Sequence, residues 1–201
     1  MTPEAGRKAV ITGTTMSYMF NHKDYKAHLK QWNEGGYKGQ EVVQTIIPGF
    51  TTVLLKSAPF KDDKGNPLSY ETVYNQAINR GTINFSLIKE SEPAGGIGGG
   101  DTLGLREYLF DNFLKYSTMP FNGSNQKYLR CYTVDVIFHE LAHCMGYSHP
   151  NDPKTEPYYG TMTYGGGWTT ANYVFLNKLV ENKDLPVPLD GKWAENTGFP
   201  F

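Results

Sequence analysis

Residues 134–149 read VDVIFHELAHCMGYSH, and this stretch constrains the chain more than any other. Val134, Ile137, Phe138, Leu141 and Met145 fall at i, i+3, i+4, i+7 and i+11, a single apolar stripe of an α-helix. Gly146 follows where a left-handed residue ends a helix. On such a helix, residues four apart lie above one another. His139 and His143 therefore aim two imidazole nitrogens at one point, about 2.0–2.1 Å from each if that point is a zinc ion. Glu140 projects beside the point, where a carboxylate can take a proton from an attacking water and pass it to a leaving amine. Gly146 lets the chain turn sharply, so that His149 returns as a third ligand and leaves a fourth position open. The expected cofactor is Zn2+, held by His139, His143 and His149, with Glu140 as general base.

The full spacing His-Glu-x-x-His-x-x-Gly-x-x-His is much more specific than its first half. It resembles the signature of the metzincin zinc proteases, which pair it with a downstream methionine turn. Met162, in the run Gly160-Thr161-Met162-Thr163-Tyr164, matches that turn; a core methionine is the plainer alternative. By the same resemblance, Tyr164 matches the tyrosine that astacins and serralysins keep near the metal, where it would ligate zinc at rest and swing to hydrogen-bond the developing oxyanion; one of the chain's many tyrosines without such a role is the plainer alternative. Pro150 after the third histidine is similar to the serralysins, although their calcium-binding repeats are missing. TINFSLIK at 82–89 and GGIGGGDTLGL at 95–105 look like the strand and edge strand that precede the active-site helix of matrix metalloproteinases. The resemblance covers residues 134–164 well and 69–106 weakly. It does not extend before residue 60. Compact bacterial toxin-type metzincins are a further comparison.

The implied fold is α+β: a metzincin-like domain spanning 1–201, with a twisted, mostly parallel sheet, an antiparallel edge strand and the active-site helix in an upper part, about 1–146. A small lower part, 147–201, would carry the methionine turn and a last helix. The implied activity is hydrolysis of peptide bonds by a zinc endopeptidase. The alternative is a toxin or binding module of the same fold in which proteolysis is secondary, and zinc hydrolysis of a non-peptide amide also fits the four residues. Secretion is expected from the family alone, since MTPEAGRKAV at the start has no apolar core of the kind a signal peptide needs.

Composition narrows the partners. A formal net charge of −1, with Lys and Arg scattered, offers no surface for nucleic acid. No apolar run approaches the roughly 18 residues of a membrane span. A peptide or protein substrate is expected. Gly100, Thr102 and Leu103 would form the edge strand that pairs with it, or else a plain surface hairpin. Gly165 and Trp168, in the run Gly165-Gly166-Gly167-Trp168, would wall a side-chain pocket, or else be a loop with one anchoring aromatic.

Elsewhere, residues 9–19 are a strand candidate with poor alternation, and 24–32 an amphipathic helix ended by Gly35-Gly36. Residues 42–47 and 51–56 look like strands around the turn Pro48-Gly49, and 59–67 like a solvated loop. Ser69 looks like the N-cap of a helix reaching about Arg80 and stopped by Gly81. Thr82 to Lys89 is the best strand, with Ile83, Phe85 and Leu87 on one face. Residues 93–101 should be loop, 102–106 a short strand, and 146–168 loop again. A last helix is expected over 170–183, with Tyr173, Leu176, Leu179 and Val180 inward. Cys131 and Cys144, on one helix, would stand roughly 20 Å apart, too far for a disulfide. Cys144 should pack into the core, and His22 and His28 should be surface residues.

Overall fold

A computed structural model describes residues 2–35, 58–88, 95–110, 124–150 and 160–176. The expected strands at 42–47 and 51–56, and the turn at Phe121-Asn122-Gly123, lie outside them.

The first element corrects the sequence reading. Residues 9–19 are not a strand but belong to helix α1, Pro3–Phe20. Val10, Ile11, Thr12, Thr14 and Thr15 favour extended chain locally. Against them, Thr2 caps the helix, its side chain accepting from the Ala5 N–H at 3.2 Å, and Pro3 sits in the first turn. Ala5, Ala9, Thr12, Met16 and Met19 are buried at helical spacing, so tertiary burial decides.

Helix α2, Tyr25–Asn33, forms where expected and buries Tyr25, His28, Leu29 and Trp32. His28 is therefore no surface residue. Its Nε2 lies 2.9 Å from the Thr169 carbonyl oxygen on the last helix, and its ring packs edge-on against Tyr173. His22 is half-buried and hydrogen-bonds the Tyr173 hydroxyl. Tyr25 bonds the Thr170 hydroxyl at 2.7 Å, so α2 is tied to the last helix by polar contacts inside an aromatic cluster.

Burial lowers the His28 pKa from its ordinary 6.5 to about 4, so the folded protein keeps the ring neutral. As pH falls from about 6.5 to about 4, the unfolded chain binds this proton first, and stability declines; above about 6.5 the contribution is complete. The full shift corresponds to about 3 kcal/mol. Urea unfolding of metal-free protein at pH 7 and pH 4.5 should show a markedly smaller loss for His28→Gln than for the wild type. Equal losses would mean that His28 is not buried in this way.

The loop at 59–67 is solvated at Pro59 and through residues 64–67, and Asp62 Oδ1 accepts from the Lys64 and Asn66 N–H groups. Its stem is built in: Phe60 is fully buried, Lys61 N–H donates to the Gly160 carbonyl at 2.7 Å, and Met162 N–H donates back to the Lys61 carbonyl at 2.9 Å. Ser69 then caps α3, Tyr70–Ile78, accepting from the Thr72 N–H at 3.1 Å, and Gly81 follows at φ 81°.

Among the described residues three strands form one mixed sheet: β1 (Asn84–Leu87), β2 (Gly96–Gly99) and β3 (Thr102–Leu105), in the order β1-β3-β2. β1 pairs parallel with β3, and β2 antiparallel with it. Residues 93–101 are thus not wholly loop. Glycine weakens a strand, yet this one forms because only glycine fits there. A Cβ on Gly96 would stand 2.6 Å from Glu140 Cγ, and one on Gly98 would overlap the Glu140 backbone oxygen.

Helix α4, Ser124–Cys144, carries the apolar stripe inward, with Val134, Ile137, Phe138 and Leu141 buried. Its end is a Schellman turn: Tyr147 N–H reaches the Ala142 carbonyl and Gly146 N–H the His143 carbonyl, with Gly146 at φ 92°. Helix α5, Met162–Leu176, starts eight residues before the expected 170. The run Gly165-Gly166-Gly167 is inside it, and Gly166 and Gly167 let α5 lie directly on α4. A Cβ on Gly166 would overlap the Phe138 ring, and one on Gly167 would stand 2.8 Å from the Asp135 backbone oxygen. The expected continuation to 183 falls outside the described residues. Among those residues no helix is long and apolar enough to cross a membrane.

Candidate metal centre

His139 and His143 stand one turn apart near the end of α4, and the Schellman turn brings His149 back to meet them. His149 Nε2 lies 2.9 Å from His139 Nε2 and 3.1 Å from His143 Nε2, and one ligand atom from each residue falls within 4.8 Å of the others. Nitrogens around a tetrahedral zinc ion would stand about 3.3 Å apart, given bonds of about 2.0–2.1 Å.

The donor chemistry fits a cation. His143 Nδ1 is 2.7 Å from the Tyr147 carbonyl oxygen, which fixes the proton there and leaves Nε2 as a lone pair. His139 likewise hydrogen-bonds the backbone of Thr163. Two lone pairs then face the His149 Nε2. A proton on His149 can satisfy only one of them, whereas a metal ion satisfies all three rings. Burial, and then the neighbouring rings, lower the His139 pKa to about 4; burial and then His143 also lower that of His149. Both shifts favour the neutral, ligating form.

Tyr164, in the first turn of α5, lays its ring 4.8 Å from that of His139 and stacks on His149 at 5.4 Å. Met162 is fully buried in the core at the start of the same helix. Four sequence-predicted residues, His139, His143, His149 and Tyr164, thus meet through the end of α4 and the start of α5. Glu140 is buried under β2, where its carboxylate accepts from the Gly98 N–H. Burial raises its pKa to about 7, and that hydrogen bond lowers it in part.

The expected substrate residues are placed differently. Leu103 is buried in β3, the central strand, and Thr102 begins that strand; Gly100 occupies the β2–β3 turn. None is on an edge strand. Among the described residues the edge positions belong to β1 and β2, and β2 is the one that lies over Glu140. Gly165 and Trp168 lie within α5, with Gly165 buried and Trp168 packed on the core, so they are not a loop walling a pocket. Cys144 does pack inward, its thiol 3.3 Å from the Thr102 carbonyl oxygen, and does not join the ligands.

Sequence reasoning overlooked three features: β2 over Glu140, the Arg80 side chain beneath it, and Asp135. Asp135, one turn before His139, is half-buried as a residue, but its carboxylate faces Gly167, and burial lifts its pKa to about 8. The alternating glycines at 96 and 98 were the one available signal. A cavity of about 610 Å³ lies away from the histidines, between α1, α3 and β1, with Ile137 and Leu141 of α4 on its inner wall.

The described residues define a mixed α/β protein with a three-histidine centre that could hold a metal ion. No protein family, curated protein or solved structure matches the chain.

Proposed function

We propose that this protein is a zinc-dependent endopeptidase of metzincin type. The observation that carries the reading is the convergence of three imidazole Nε2 atoms, with the Glu140 carboxylate on the residue next to one of them. When bound, zinc would supply Lewis acidity toward the scissile carbonyl and acidify the attacking water. Glu140, with a pKa near neutrality, takes the proton of that water and returns it to the leaving amine. Tyr164, whose ring packs against His139 and His149, would hydrogen-bond the oxyanion as it develops.

An extended peptide would pair with β2. Ladder bonds from Asn84 N–H to the Asp101 carbonyl and from Ile88 N–H to the Leu105 carbonyl turn residues 103 and 105 toward β1. Arg106 N–H to the Gly95 carbonyl then sets the β2 side, so the backbone groups of Gly96 and Gly98 face outward. The Gly98 N–H already donates to the Glu140 carboxylate, so the Gly96 groups and the Gly98 carbonyl are the ones a substrate strand would meet.

Metal analysis of purified protein should find one zinc ion per chain. Denatured proteins offered as substrate should be cut, with cleavage lost on chelation and restored by added zinc. Stoichiometric zinc with no cleavage of any peptide would sink the protease reading and leave a metal-bound interaction module.

A further inference from the structure

We propose that Arg80 is a positioning residue that seats strand β2 on the active-site helix, and so sets the affinity for extended peptide. The inference rests on the endopeptidase reading for its last step only.

Arg80 follows the C-terminal end of α3 and is 18% exposed. Its Nε donates to the Cys144 carbonyl at 2.9 Å. At the end of α4, the Leu141, Ala142 and His143 carbonyls already accept from Met145, Tyr147 and Gly146, so Arg80 occupies the last one. From the same fork, Nη2 donates to the Gly100 carbonyl and to Asp101 Oδ1, the latter at 2.9 Å. One guanidinium therefore joins the end of the helix that carries His139, Glu140 and His143 to the turn between β2 and β3.

That clamp matters because β2 cannot hold itself down. Four residues, three of them glycine, bring almost no side-chain contact and a large entropy of ordering. Ile97, its single side chain, is 49% exposed. Beyond the β3 ladder and the Gly98 N–H bond to Glu140, the close approach at Gly96 and Gly98 therefore leans on an anchor at the β2–β3 turn. Arg80 has the planar, two-directional donor set to provide it; a lysine ammonium is a point charge and cannot span both sites.

Arg80→Lys keeps the charge and the alkyl stem, and Arg80→Gln removes the charge. In the zinc-loaded protein, amide exchange over residues 96–105 should speed up about tenfold or more in both variants. Exchange over 139–146 and the zinc content should stay as in the wild type. For peptides long enough to pair along β2, KM should rise about tenfold with kcat changed less than about threefold, while short peptides show little change. Unaltered exchange over 96–105 overturns the proposal. So does a loss of kcat equal for all peptide lengths, which would mark a general structural role. If the wild type cuts no peptide at all, the endopeptidase reading is what fails, and the exchange measurement still decides whether Arg80 seats the strand.

Discussion

Replacing Glu140 with Gln is expected to lower kcat by about 10²–10⁴-fold while leaving the bound metal in place. The amide is nearly isosteric and still offers an oxygen to the Gly98 N–H, so β2 keeps its seat. What it cannot do is accept a proton. Burial lifts the carboxyl pKa to about 7, a value at which the proposed steps as base and then as acid would carry little penalty either way. The wild-type rate should therefore fall on acidification as the carboxylate is protonated, below the metal-free value because a bound cation favours the charged form, and the residual rate of the variant should lack the limb that belongs to this group. Removing a partly desolvated charge also predicts no loss of stability. Steady-state cleavage of a peptide by both forms, with zinc content measured alongside, provides the check. A variant that keeps a tenth of the activity or more would exclude Glu140 as the base.

Gly167→Ala should destabilise the fold by at least about 2 kcal/mol, although alanine is favoured over glycine within a helix by about 1 kcal/mol. The added methyl would stand 2.8 Å from the Asp135 backbone oxygen and would overlap its carboxylate. A backbone atom inside a helix cannot move aside, so α5 must lift from α4. The consequence reaches the metal centre, because Thr163, which holds His139, and Tyr164, which packs on His139 and His149, both belong to α5. Urea unfolding of the metal-free protein and zinc titration of the folded one should show lower stability and weaker binding together. An alanine variant as stable as the wild type would mean that the two helices do not cross at this distance.

The two substitutions mark different depths of legibility. Helix α4 and its end could be read directly, because an apolar stripe and a left-handed glycine are local signals. The Ser69 cap on α3 and the stripe of α2 are local in the same sense. The three misread segments share a cause. The β-branched residues of α1 suggested a strand, and the glycines of β2 and α5 suggested loops, because propensity records what a segment prefers alone. In each case burial against another element reversed the preference. His28 was misread for the same reason: nothing near it in the chain announces the Thr169 carbonyl, 141 residues away.

The sequence by itself determined which side chains can carry chemistry. His139 and His143 share a helix face at a spacing of four, and Gly146 returns the chain to His149, so the three-histidine cluster follows from local geometry. Only the tertiary structure decided what surrounds them: β2 over Glu140, the Arg80 fork beneath it, and α5 pressed onto α4 through its glycines. The physical reason is that glycine has no side chain to signal a partner. Its fit appears only when the second surface is in place.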